Sequence, residues 1–173
     1  HSYLNGVFLE LWKRPNNRGY SCVELARIED LLAFHDRYLA QPKLVVLEPW
    51  RQAKSSSSSD RKSKRNTAWA KLFTAMAAVV PRNGYVLYAD NARDRSSDDH
   101  GHFFYDLYRT DLGRPTSGRA SIDSGIGYRR FEMGIIAYNA TPADVTVQID
   151  GKPVRLRPLT GAFCRKGSDG WDC

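Results

Sequence analysis

Carboxylates end three short apolar runs, and these acidic residues are the part of the chain best suited to acid–base chemistry. The runs end at Glu10, Glu48 and Asp90. Short runs rich in Val, Leu and aromatic residues are typical of buried parallel strands. Helical patterns separate them, and βαβ connections bring the carboxyl ends of parallel strands to one edge of a sheet. The sequence therefore predicts that the three acidic residues converge on one site.

This arrangement favours hydrolysis of a glycosidic bond. The reaction needs one protonated carboxyl group to donate to the leaving oxygen and one ionised carboxylate as base or nucleophile. We predict Glu10 as the general acid and Glu48 as the base or nucleophile, with Asp90 in support. Two alternatives stay open, because a strand-end acid can pair with a nearby Arg or cap the next helix, and Asp90 can simply begin a turn with Asn91.

Aromatic residues accompany the acids and could bind a sugar ring. Sugar rings bury their C–H groups against aromatic faces while their hydroxyl groups stay at the rim. Trp12 and Trp50 each lie two residues beyond an acid, and Tyr88 lies two residues before Asp90. We predict that these three aromatic residues contact substrate, with core packing as the alternative for each of them.

The predicted chemistry needs neither a metal nor a cofactor. Carboxylate and imidazole groups that would suit a divalent cation occur at Asp98, Asp99, His100 and His102. A solvated polar loop explains these residues more simply. The three cysteines match no zinc-binding spacing, and the sequence has neither a Gly-x-Ser-x-Gly turn nor a phosphate-binding loop.

The chain is basic, with a formal net charge of +7 and a pI near 9.5. Much of the excess flanks a serine run at 55–59, at Arg51, Lys54, Arg61, Lys62, Lys64 and Arg65. A solvated insertion is the favoured interpretation, and contact with nucleic acid or an acidic glycan is the alternative. Because no DNA- or RNA-binding motif accompanies these residues, we predict a carbohydrate partner and no nucleic acid.

The cysteines and the hydropathy pattern limit the cellular location. Cys164 and Cys173 are close enough in sequence for a small loop disulfide, which would leave Cys22 over. A disulfide would fit a secreted or periplasmic location. No apolar stretch approaches the length of a membrane span, so we predict no membrane partner.

The character of the sequence changes after Arg109, which predicts two domains. Residues 1–110 alternate strand and helix patterns, with helices expected at about 23–39 and 68–80. Ser21, with Glu24 three residues on, is the expected cap of the first helix, and Asn66 or Thr67 is the expected cap of the second. Residues 111–173 carry short alternating runs and turn residues, which predict a small antiparallel sheet or half-sandwich.

Two segments carry a resemblance to a known family. The run "HFFYDLYRTDLGRP" at 102–115 and the run "YRRFEMGIIAYN" at 128–139 resemble the end of glycoside hydrolases with a (β/α)8 barrel. In that family a last barrel strand, here 84–90, precedes a "DLGxP" turn and an "RxFENG"-like hairpin that opens a small C-terminal sheet. Met133 stands where Asn is usual, and Ala140 stands where Pro is usual.

The resemblance implies an α/β fold, the C-terminal portion of a TIM barrel followed by an antiparallel appendage. It implies a glycosidase acting on a polysaccharide or glycan. A non-catalytic carbohydrate-binding or assembly protein on the same scaffold is the alternative. Since about three βα units cannot close a barrel, we expect an N-terminal barrel segment on the same chain or on a cleaved fragment.

Overall fold

The computed structural model describes residues 3–12, 19–51, 61–90 and 101–173. The described helices are α1 (Cys22–Tyr38), α2 (Lys64–Val79) and a short 3₁₀ helix (Asp106–Arg109). The described strands, in chain order, are β1 (Gly6–Glu10), β2 (Leu44–Glu48), β3 (Gly84–Val86), β4 (Ala120–Asp123), β5 (Ile126–Phe131), β6 (Gly134–Asn139), β7 (Val145–Ile149), β8 (Lys152–Leu156), β9 (Thr160–Lys166) and β10 (Trp171–Asp172).

The first part of the chain forms a parallel sheet in the order β1-β2-β3, connected through the two helices. The start of α1 follows from its sequence, because Ser21 and Glu24 form a capping box. The Ser21 side chain accepts from the Glu24 backbone N–H, and the Glu24 side chain accepts from the Ser21 N–H. The predicted helix and its cap at Ser21 are confirmed.

Helix α2 begins earlier than its sequence pattern predicts. Ser63 is the N-cap, and its hydroxyl accepts from the Asn66 N–H at 3.3 Å. Asn66, which was an expected cap, is instead fully buried inside the first turn. The basic residues Lys64 and Arg65 therefore belong to a helix and not to a loop, whereas the serine run at 55–59 lies outside the described residues.

The second part of the chain is antiparallel. Five strands pair in the order β10-β9-β6-β5-β4, and β7 and β8 form a separate hairpin. The β7–β8 turn has positive φ at Asp150 (54°) and Gly151 (73°), as expected for a turn of type I′ at an Asp-Gly pair. A disulfide joins Cys164 on β9 to Cys173, which fastens the end of the described chain to the sheet, and Cys22 is free and exposed.

Helix α2 lies between the two sheets and joins them into one hydrophobic core. Its buried residues Leu72, Phe73 and Met76 belong to the same cluster as Leu47 of β2 and Tyr138 of β6. The apolar stripe of α2 is therefore wider than that of a helix on the protein surface, because a sheet packs against each of its two sides. A second cluster packs the β7–β8 hairpin against the antiparallel sheet.

The prediction that the chain is the C-terminal portion of a (β/α)8 barrel is wrong. Among the described residues, two α-helices accompany three parallel strands and seven strands in antiparallel arrangements, and β1 and β3 are open edges of the parallel sheet. Alternating strand and helix patterns specify βαβ units locally. They do not specify whether the strands continue around a closed ring, which depends on pairings between distant segments. The expectation of an upstream barrel segment depended on that barrel and has no other support.

The parallel sheet has one covered face and one exposed face. Val45 and Leu47 pack against the helices, whereas Phe8 and Tyr85 on the opposite face are 52% and 57% exposed. Because side chains alternate across a strand, Glu10 and Glu48 share the face of Phe8. Glu10 and Glu48 thus leave the face of the sheet opposite the helices.

Candidate functional site

Glu10 and Glu48 occupy the last positions of neighbouring strands. They are register partners in the parallel pair of β1 and β2, so their Cα atoms are about one strand spacing apart, ~4.8 Å, and their side chains leave the same face. The Leu11 N–H donates to the Glu48 carbonyl oxygen at 2.9 Å, which extends the pairing beyond the two acids. Glu10 is exposed, and it forms no ion pair with any described residue.

The hydroxyl group of Tyr20 fixes the residues that directly follow these two strands. Its oxygen accepts from the Trp50 N–H at 3.1 Å and lies 3.1 Å from the Trp12 carbonyl oxygen, to which it can donate. Tyr20 is itself buried among the aromatic rings of Trp69 and Phe73. A rigid core residue therefore holds both strand ends at a fixed separation, as a site that must align two acids requires.

Glu48 is buried and pairs with a partly exposed histidine. Its Oε1 lies 2.9 Å from Nε2 of His102, and the side chains are 1% and 35% exposed respectively. A carboxylate in this position accepts from Nε2–H, which places the basic lone pair of the imidazole on Nδ1. The arrangement matches the physical logic of a carboxylate that orients a histidine base. The antiparallel bridge between Ala89 and His102 sets the position of the ring.

Asp90 lies in a different cluster, against the N-terminal end of α2. Its Oδ2 accepts a hydrogen bond from the Tyr105 hydroxyl, from Arg61 Nε at 3.1 Å and from Asn66 Nδ2 at 3.4 Å. Its Oδ1 has no hydrogen-bond partner among the described residues. The Tyr88 hydroxyl donates to Asn66 Oδ1 at 2.9 Å, which links the buried ring to the same network.

Burial raises the pKa of Asp90 above its ordinary value. Loss of hydration outweighs the opposing effects of the Tyr105 hydrogen bond and the Arg61 charge. Burial also raises the pKa of Tyr105, and its hydrogen bond to Asp90 adds to that effect because it stabilises the protonated phenol. A carboxyl group whose pKa is higher in the folded state contributes stability below its unfolded pKa and loses that contribution as the pH rises through the folded value.

The upward direction of the Asp90 pKa shift gives a prediction for the stability of Asp90→Asn. The amide keeps an acceptor for Tyr105 and removes the buried charge, so the variant should gain stability relative to the wild type as the pH rises. We expect the difference in Tm, variant minus wild type, to be a few degrees more positive at neutral pH than near pH 4. Thermal unfolding followed by circular dichroism measures it, and a difference that falls with rising pH would contradict the raised pKa.

The predicted aromatic contacts differ in exposure. Trp12 is 84% exposed beside the end of β1, where its ring can serve as a platform. Trp50 and Tyr88 are buried, at 3% and 1% exposure, and Tyr88 stacks on Phe73 in the core. Trp12 is thus the aromatic residue of the three that a sugar can reach in this conformation, and the substrate contacts of the other two stay predictions.

The described residues offer no group of three His, Cys, Asp or Glu side chains able to hold a metal ion. Of the loop residues considered as ligands, Asp98, Asp99 and His100 lie outside the described residues, and His102 pairs with Glu48. Within the described part of the chain, no helix has both the length and the apolar character that a membrane crossing requires.

Sequence patterns offered His102 only as a metal ligand and missed its pairing with Glu48. Its partner Glu48 is 54 residues away along the chain, and no local pattern connects the two positions. The network of Arg61, Asn66 and Tyr105 around Asp90 was missed for the same reason, since those contacts span 15 to 29 residues. The high density of aromatic and charged residues at 102–108 was the one sequence feature that pointed to this region.

Comparison with known proteins finds no matching family model, no matching curated protein and no matching solved structure. Together with the open parallel sheet, this overturns the resemblance to (β/α)8-barrel glycoside hydrolases. The motif-like runs at 102–115 and 128–139 form a 3₁₀ helix, a turn and an ordinary antiparallel hairpin. Hairpins of this kind occur in many folds and favour similar short sequences in all of them. The two runs therefore do not identify a family.

Proposed function

We propose that this protein hydrolyses a glycosidic bond at the Glu10–Glu48–His102 site. The observation that supports the proposal is the placement of an exposed carboxyl group, Glu10, in register with a buried carboxylate, Glu48, that is paired with an imidazole. This supplies a proton donor and a base on one face of the sheet, which is the minimum that the reaction needs. The proposal depends on these residues and not on any barrel.

The burial of Glu48 indicates which of the three residues acts as the base. A carboxylate with 1% side-chain exposure is poorly placed to attack an anomeric carbon, whereas His102 is exposed enough to meet a water molecule. In the proposed step His102 takes a proton from water as its oxygen attacks the anomeric carbon. The glycosidic C–O bond breaks, and Glu10 protonates the departing oxygen. Glu48 holds the ring in place and stabilises the imidazolium ion that forms.

The exposed Trp12 ring favours a second candidate, a non-catalytic carbohydrate-binding protein. An exposed indole ring, as at Trp12, is a common means of holding a sugar without cleaving it. Binding alone would need the aromatic platform but neither the Glu48–His102 pair nor Glu10. The two candidates therefore differ in the effect of changing Glu10.

Release of reducing ends from a panel of neutral and acidic polysaccharides tests the proposal. We expect hydrolysis of at least one class by the wild type, and a loss of about a hundredfold in Glu10→Gln, since the amide cannot donate the proton. Asp30→Asn, at an exposed position of α1, is the control and should be unchanged. Binding without release of reducing ends would favour the second candidate and overturn the first.

A further inference from the structure

Cationic side chains line a groove along the N-terminal half of α2. Two hollows of about 670 Å³ and 630 Å³ adjoin there, since both are lined by Lys62 and Lys71. The larger hollow lies between α2 and the β8–β9 connection. We call this surface the basic groove and define it by Lys62, Lys64, Lys71, Arg155 and Arg157.

The positive charge of the basic groove is poorly compensated. No ion pair with a described residue involves Lys62, Lys64, Lys71 or Arg157. Arg155 pairs with Asp144 at 3.1 Å, but the two side chains are 70% and 50% exposed, and such pairs neutralise little. Cations gathered in a concave surface raise the local potential and attract an anionic ligand.

The start of α2 adds to this potential. The first turn of the helix carries Lys64 and contains no acidic residue, although the positive end of the helix dipole favours acids there. Placing cations at this end costs stability, and an anion bound in the groove would recover it. The arrangement is thus unfavourable in isolation and favourable with a polyanion bound.

The smaller hollow comes within one residue of the proposed catalytic site, because Phe103 lines this hollow and directly follows His102 in the chain. We propose that the groove binds an acidic polysaccharide, whose carboxylate or sulfate groups meet the five cations while a neighbouring sugar lies at His102. This inference rests on the proposed function, because it names the substrate class of the same site.

Two observations favour a glycan over a nucleic acid. Binding of single strands uses open aromatic faces on which bases stack. Here the guanidinium of Arg61 lies over the ring of Phe103, 5.1 Å from its centre, and that of Arg109 lies over the ring of Phe104, 5.2 Å from its centre. One face of each ring is therefore already occupied by a cation and is not open to a base. Cys173 lines the groove and is disulfide-bonded, and disulfides are typical of oxidising compartments, where extracellular polysaccharides occur.

The test compares two double variants with the wild type. Lys71→Gln with Arg157→Gln removes two charges from the groove, and Arg27→Gln with Lys166→Gln removes the same charges from exposed positions outside it. Fluorescence anisotropy measures the Kd for labelled polygalacturonate, dextran sulfate, neutral dextran and oligo-dT at low and high salt. The first two probes separate carboxylate from sulfate recognition.

We expect tight binding of at least one acidic polysaccharide and none of neutral dextran. The Kd should rise about tenfold in the groove variant, rise steeply with salt, and stay unchanged in the control variant. Equal Kd values for the two variants, no binding of either acidic polysaccharide, or tighter binding of oligo-dT would overturn the inference.

The same samples separate this inference from the proposed function. Groove-dependent binding of an acidic polysaccharide, with no cleavage of any acidic or neutral polysaccharide, would leave the basic groove as a ligand site and overturn the hydrolysis proposal. Cleavage of neutral polysaccharides alone, with equal rates in the two variants, would uphold hydrolysis and overturn the acidic substrate.

Discussion

Glu48→Gln should lower kcat/KM by about a thousandfold while leaving the fold intact. The glutamine amide can donate to Nε2 of His102, which reverses the hydrogen bond and moves the ring proton to Nδ1, where the base is needed. The loss of the carboxylate also removes the charge that stabilises the imidazolium ion. Kinetics on the polysaccharide that the wild type hydrolyses measure the effect, and circular dichroism confirms the fold.

Two further variants make this prediction specific. His102→Gln should be as inactive as Glu48→Gln, and the double variant should be no worse than either, because residues that act as a unit are non-additive. Asp30→Asn, on the exposed side of α1, should keep full activity. A Glu48→Gln enzyme with more than a tenth of the wild-type activity would show that the pair does not carry the chemistry.

Gly161→Ala should cost about 3 kcal/mol of unfolding free energy. A Cβ at this position of β9 would lie 2.2 Å from the Lys71 carbonyl oxygen and 2.6 Å from the Ala75 Cβ, and the backbone of α2 cannot move away without disturbing both sheets. The closeness of β9 to α2 thus depends on a residue that has no side chain.

Gly118→Ala is the matched control, because a Cβ there meets nothing within 4 Å and the expected change is within about 0.5 kcal/mol. Urea unfolding gives the change in unfolding free energy for both variants, provided that the m-value is the same in each. Equal midpoints for the two variants would contradict the packing of α2 between the sheets, and with it the single core.

The local elements could be predicted from the sequence, because their causes are local. The capping box at Ser21 and Glu24, the apolar runs ending in acids and the Asp150-Gly151 turn each act over a few residues. The same patterns misplaced the start of α2, because Ser63 competes with Asn66 as a cap and Asn66 is drawn into a buried network.

The assembly of the elements could not be predicted, because it depends on contacts between distant segments. Nothing near Gly161 in the sequence indicates that a helix 90 residues earlier lies against it. The pairing of Glu48 with His102 and the open edges of the parallel sheet likewise depend on segments that are far apart in the sequence. Local βα alternation fits an open three-stranded sheet and a closed barrel equally well, which is why the barrel prediction failed.

The anomeric configuration of the first product tests the central claim most directly. In the proposed step the base is Nδ1 of His102, one imidazole ring beyond the Glu48 carboxylate, so that water and not a carboxylate attacks the anomeric carbon. Proton NMR of the products formed by the wild type should therefore show inversion at the anomeric carbon. Retention would indicate direct attack by a carboxylate, and the absence of any hydrolysed glycan would contradict the hydrolysis itself.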